Sequence, residues 1–287
     1  LCVLNVIGVR ASVTTAMAFV VTKILPLVVF VAVGAFFFSV DTFRGQQATD
    51  PGGLGAAALV LLFAFVGFEN TPVLAGEYRD PRRDVPFALM AHVAIVTVLY
   101  LAVQAVCLGV LPGLGASTTP LADAAALFMG TVGGGLLTIG AVVSILGTVS
   151  NSVLAGPRFL YAIARDGFLP RFLASVHARF RTPAAAVIVQ TAITLPLALT
   201  GGFVELAALS VVSRLLTYVG TAAAIPVLRR RFGVPSFRMP GGLSIPIAVC
   251  VLSIGLAASA SRRNLIAAAV ALVVGGVLYR FRPGRGD

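Results

Sequence analysis

From Pro86 to Leu111 the chain runs for 26 residues, PFALMAHVAIVTVLYLAVQAVCLGVL, without one aspartate, glutamate, lysine or arginine. About 20 apolar residues in helical form span the hydrocarbon of a bilayer. In lipid each backbone amide must be satisfied within its own segment, so such a run is a helix. Comparable runs lie near 13–40, 54–78, 133–163, 183–200, 203–228, 243–260 and 264–281, and the one over 54–78 is interrupted. Only 11% of the residues are charged and the mean hydropathy is +1.02, where a soluble domain would carry roughly 25% charged residues. The pattern predicts an all-α membrane protein with one domain over 1–287, eight spans and one broken helix.

The charges orient it. Arg10, Arg79, Arg82, Arg83, Arg158, Arg165, Arg171, Arg179, Arg181, Arg229, Arg230, Arg231, Arg238, Arg280, Arg282 and Arg285 fall at one set of helix ends and loops. Arg44, Arg262 and Arg263 fall at the other. Basic residues are retained in the cytoplasm, so the first set is expected inside, together with both ends of the chain, in the cell membrane. The net charge of +11 therefore reports topology and contact with anionic lipid. It does not point to nucleic acid.

Between Leu59 and Pro86 the sequence LVLLFAFVGFENTPVLAGEYRDPRRDVP places Gly67, Phe68, Glu69 and Asn70 in the middle of an apolar run. A carboxylate within the membrane must be offset by a partner, water or a ligand. A helix break there is tolerated only where it lines a cavity or packs into protein. Val66, Gly67, Phe68, Glu69 and Asn70 are accordingly the candidate substrate-binding segment: an interrupted helix offers carbonyls to an ammonium group and a half-helix N-terminus to an anion. Glu69 has three candidate roles, as the counter-charge to a cation, as a proton relay, or as a brace of the broken helix through hydrogen bonds.

Two further charges lie inside predicted spans. Lys23 is the sole lysine, and about 20 Å of helix separates it from Arg10, too deep for easy snorkelling. Arg214 lies 11 residues beyond Phe203. Glu205 is too far along the same helix to reach it, which leaves Glu69, or a group outside these residues, as its partner and makes the pair a candidate gate. Arg158, Glu77 and Asp166 are expected to form ion pairs at a cytoplasmic helix end. Cys2, Cys107 and Cys250 are isolated, and His92 and His177 stand alone. No disulfide framework, metal-ligand spacing or catalytic cluster emerges, so neither an enzyme nor a resident cofactor or metal is predicted.

In the loop after Leu111, PLADAAALF begins with proline and carries Asp123 in its first turn, as a short helix start does. LCVLNVIGVR at the front reads as the tail of an earlier helix, with no initiator methionine or signal peptide.

Several segments together resemble a known family. FAFVGFENTPVLAGEYRDPRRDVPFAL is similar to the sixth-helix region of amino acid permeases of the amino acid–polyamine–organocation superfamily, with its F-x-G-[FVY]-E signature and following N-P-x-R-x-x-P-like turn, here opened by Asp80 in place of Asn. NSVLAGPRFLYAIARDGFLPRFLASVHARFRTP resembles the eighth helix and its ending. NVIGVR and TKILPL resemble the end of the fourth helix and the fifth, and the triple arginine with FRMPGG resembles the connection from tenth to eleventh. The resemblance spans nearly the whole chain.

It implies a LeuT-type inverted-repeat bundle, here partial, lacking roughly its first four helices and with them the first helix break. It also implies roles by position. Phe63 corresponds to an aromatic lid over the substrate, and Lys23 with the Ser150 hydroxyl corresponds to a site of proton coupling. The expected activity is proton-coupled secondary transport of an amino acid or related amine by alternating access. An ion-independent exchanger would use the same residues, and a non-transporting membrane sensor is the alternative of another class. The expected partners are a small amino acid substrate, a proton and membrane lipid.

Overall fold

The structure is a computed structural model and describes residues 13–46, 53–71, 78–177, 182–233, 237 and 239–280. Among these residues there are helices and turns but no strand. In chain order the α-helices are α1 (Val13–Gly34), α2 (Val40–Arg44), α3 (Leu54–Ala64), α4 (Pro81–Val110), α5 (Pro120–Arg165), α6 (Ala184–Thr200), α7 (Phe203–Phe232), α8 (Ser244–Ala258) and α9 (Arg262–Arg280). Four stretches among the described residues are long and apolar enough to cross a bilayer: Val20–Phe37, Pro81–Val110, Pro120–Val149 and Phe203–Phe232. Helices α3, α6 and α8 are apolar but shorter. Side chains such as Val98, Leu101, Val132 and Ile139 are at least 66% exposed. Contiguous apolar surface of this kind is unstable in water and suits lipid.

The helix boundaries depart from the sequence reading where local chemistry extends a helix past its apolar run. Helix α4 begins at Pro81, five residues before the predicted start at 86. Asp80 explains this, because its carboxylate accepts from the Arg82 amide while Asp84 reaches back to the Asp80 amide. This reciprocal capping satisfies donors that the first turn of a helix leaves open, and proline suits the first position. Helix α7 runs on to Phe232, through Arg229, Arg230 and Arg231, whose charges favour the negative end of the helix dipole. The helix over 133–163 is longer on paper, Pro120–Arg165, but Gly130 at φ +65° divides it. The segment before that kink is the short helix expected from PLADAAALF, with Thr119 Oγ1 and Ser117 Oγ both donating to the Asp123 carboxylate. The first span ends as a helix at Gly34 and continues as the 3-10 turn Ala35–Phe37.

The chain divides into two compact units. One comprises Leu1–Ala48, Val98–Pro196 and Val277–Asp287. Its core gathers Phe30, Val106, Cys107, Ala124, Ala125 and Leu137. Helix α1 runs antiparallel to α5: Phe30 meets the Phe128 ring at 5.5 Å, and a Cβ on Gly140 would stand 3.0 Å from Pro26. The last carbonyls of α4 are also satisfied here. Gln46 Nε2 donates to the carbonyls of Leu108 and Leu111, and the Ser39 amide to that of Gly109. Open carbonyls at a helix end need such partners, above all where water is scarce.

The other unit comprises Thr49–Thr97 and Leu197–Gly276. Helix α7 packs against both α8 and α3, and Leu59, Val211 and Leu215 form its buried centre. Close packing of α3 on the end of α8 depends on Gly55, where a Cβ would fall 2.4 Å from Ser259 Oγ. Small residues allow this approach between membrane helices, where dispersion replaces the hydrophobic effect as the driving force. At the start of α7, Glu205 pairs with Arg263 at 3.3 Å.

Candidate functional site

Helix α3 stops at Ala64, three residues before the glycine of the motif. The amides of Phe65 and Val66 turn back to the carbonyls of Leu62 and Phe63, tightening the last turn. Gly67 then adopts φ +126° and ψ −22°, a conformation nearly closed to residues with a Cβ. Its amide leaves the backbone ladder and donates to Glu69 Oε2 at 2.7 Å. A 3-10 turn over Phe68–Asn70 follows, with the Thr71 amide on the Phe68 carbonyl. The break therefore starts at Phe65, earlier than Gly67.

Glu69 holds this segment to α7. Its Oε1 accepts the Tyr218 hydroxyl at 2.5 Å and Arg214 Nη1 at 3.3 Å. Arg214 and Tyr218 are four residues apart on one helix and so project from the same face. Val211 and Leu215, buried against α3, lie on that side as well. The carboxylate thus takes three donors, one from the break and two from α7. Hydrogen bonds to an ionised acceptor are among the stronger ones a protein makes, and within lipid their loss has no compensation from water. Among the described residues Arg214 Nε is buried without a hydrogen-bond partner, so the ion pair with Glu69 is the guanidinium's recorded polar anchor.

The aromatic residues complete the same unit. Phe68 stacks on the Tyr218 ring with centroids 6.0 Å apart. Phe63 meets Phe203 edge-on at 5.8 Å and packs against the buried cluster of Leu59, Val211 and Leu215. Val66 and Gly67 are half-buried. The Asn70 side chain lies outside the described residues. A Cβ added to Gly67 would meet no atom within 4 Å among the described residues.

Lys23 stands at the midpoint of α1, exposed and with no ion-pair partner among the described residues. The Ser150 side chain lies outside the described residues, although its backbone belongs to α5. Because α1 and α5 are antiparallel, Lys23 lies toward the Ser150 end of α5 from the Pro26–Gly140 contact. The expected ion pairs of Arg158 and Asp166 are absent among the described residues, while Glu77 lies outside them. Cys107 and Cys250 are free thiols; Cys2 lies outside the described residues.

Sequence reasoning named Glu69 and Arg214 and missed Tyr218. The signal was present: Tyr218 is one helical turn beyond an intramembrane arginine, where a second polar group on the same face shares the same partner.

A helical membrane protein whose apolar helix breaks at a glycine and an ion-paired glutamate has the architecture of a solute permease. The amino acid permease family profile matches residues 1–277, and the chain belongs to that family. It is 30% identical over 239 residues to the serine/threonine exchanger SteT of Bacillus subtilis (strain 168), covering 80% of this chain and 54% of that one. It is 28% identical over 282 residues to the branched-chain amino acid permease BcaP of the same organism, covering 95% of this chain and 60% of BcaP. The vacuolar cationic amino acid transporter 4 of Arabidopsis thaliana is 26% identical over 229 residues, covering 77% of this chain and 38% of that protein. The chain thus spans little more than half the length of the two bacterial relatives. The family consists of membrane transporters and not enzymes.

Proposed function

We propose that these residues form part of a secondary transporter that carries an amino acid across the cell membrane by alternating access. The observation that carries the reading is the break at Phe65–Asn70, built on Gly67 and braced by Glu69 against α7. A discontinuous helix supplies polar backbone ends at membrane depth for the charged groups of a small substrate. Phe63, Val66, Gly67, Phe68, Glu69 and Asn70 form this chain's share of the substrate site, and Arg214 with Glu69 acts as a gate at its edge. The transport names of SteT, BcaP and the plant transporter support an amino acid as cargo. Eight spans are proposed from the apolar runs, and the charge distribution supports placing the arginine-rich ends in the cytoplasm.

Coupling is to protons through Lys23, with Ser150 as its neighbouring hydroxyl. A lysine at a helix midpoint in lipid is costly when charged, by about 2.5–3.5 kcal/mol on insertion scales, which favours a group that gains and loses its proton during the cycle. The test is uptake by the full-length protein in proteoliposomes over a range of external pH. Lys23→Ala is expected to abolish the pH dependence; uptake unchanged from wild type at every pH overturns the coupling. A second reading, exchange without an ion, is favoured by the name of SteT. Stimulation by internal amino acid with no response to a proton gradient selects it.

A further inference from the structure

We infer that the substrate's side chain is uncharged, because Glu69 and Arg214 cancel one another at the break and, among the described residues, leave no net charge there for a substrate to meet. The inference rests on the transport reading above and specifies its substrate class. An intramembrane glutamate alone would suit a cationic side chain, and an intramembrane arginine alone an anionic one. Here Arg214 Nη1 lies 3.3 Å from Glu69 Oε1. The same oxygen takes the Tyr218 hydroxyl at 2.5 Å, and Oε2 takes the Gly67 amide at 2.7 Å. A lysine or arginine side chain would meet a carboxylate whose charge Arg214 already offsets and would bring a net positive charge to the site.

The reverse exchange is equally unfavourable. An acidic side chain would compete with Glu69 for Arg214. Glu69 would then keep its own charge, held by Tyr218 and the Gly67 amide, with a second carboxylate beside it, so the site would carry net negative charge. Net charge at membrane depth is costly. The remaining acid in this unit's α7, Glu205, is itself paired with Arg263 at the start of that helix. Phe63, Val66 and Phe68 stand beside the break. A zwitterion with a neutral side chain adds no net charge beside the pair, whereas either charged class does. Discrimination is thus built as a penalty against the wrong substrates.

The experiment measures counterflow by the full-length protein in proteoliposomes with L-serine, L-leucine, L-lysine and L-glutamate in turn. Wild-type protein is expected to move serine or leucine and to leave lysine and glutamate outside. Lysine or glutamate moved in preference overturns the substrate class while leaving the transport reading intact; movement of none of the four overturns both. Two variants test the cause. Arg214→Gln exposes the Glu69 charge and is expected to raise lysine inhibition relative to serine by about tenfold, and Glu69→Gln to do the same for glutamate. Folding of each is followed by size-exclusion chromatography. Folded variants with unchanged inhibition ratios overturn the electrostatic cause, and where neither folds, the wild-type panel decides the class.

Discussion

The Gly67 amide and the Glu69 carboxylate bond across 2.7 Å, two residues apart. The glutamate of the motif therefore caps the helix break it belongs to. Its other oxygen binds Arg214 and Tyr218, so one side chain both ends α3 and ties the break to α7. Replacing it by glutamine keeps an acceptor for one side only and turns an amide donor toward the other donors. Glu69→Gln is expected to destabilise the protein by about 1–3 kcal/mol, the cost of an unsatisfied buried polar group. Thermal unfolding of the purified protein in detergent reads the effect; a melting temperature equal to wild type contradicts the bracing role.

Gly67→Ala isolates backbone conformation from packing. The added methyl meets no atom within 4 Å among the described residues, but φ of +126° costs a residue with a Cβ about 1–3 kcal/mol. The variant should either lose stability by that amount or relax the break and weaken substrate binding. A variant matching wild type in both melting and binding would show that the break does not need this conformation.

How much of this was legible beforehand follows from the same residues. An apolar run interrupted by glycine and glutamate announces the break, because lipid makes both expensive. Arg214 announces a need for a counter-charge, and Glu69 is available to meet it. Tyr218 carries a weaker signal, its place one helical turn beyond Arg214, since tyrosine is at home in membrane proteins with or without a partner. The start of the break at Phe65, one residue before Val66, was hidden for another reason: Phe65 has an ordinary apolar side chain, and nothing in it marks the end of the helix. Helices α4 and α7 run beyond the apolar spans of 86–111 and 203–228, extended by Asp80 and the triple arginine, because polarity marks the edge of the lipid and not the end of the hydrogen-bond ladder. Phe63, which the family resemblance makes a lid, packs on Phe203 and the α7 core, a contact between distant segments that no local pattern encodes.

Tyr218→Phe removes one hydroxyl and keeps the ring that stacks on Phe68 at 6.0 Å. The loss is one hydrogen bond to a carboxylate, about 1–2 kcal/mol. A double-mutant cycle with Glu69→Gln separates this bond from the rest: the two effects should fall short of additive by about 1 kcal/mol, as expected for direct partners. Additive losses would mean that the hydroxyl and the carboxylate act independently.

Gly34→Ala tests packing within the unit that contains α1. A Cβ at this buried position would lie 2.4 Å from Val106 Cγ1 and 2.9 Å from the Phe128 ring. Val106 belongs to the buried core around Phe30, and Phe128 is held between the rings of Phe30 and Phe37, each with its centroid 5.5 Å away. Neither neighbour is a flexible side-chain end that can swing clear, so the methyl must push α1 away from α4 and α5. Overpacking of this kind costs about 1–3 kcal/mol. Trimming Val106 to alanine in the same chain should recover part of the loss, because it removes the atom nearest the new methyl. Unfolding measurements on Gly34→Ala, Val106→Ala and the double variant decide the matter: a double variant less stable than the sum of the single losses would show that the glycine is needed for something other than close approach.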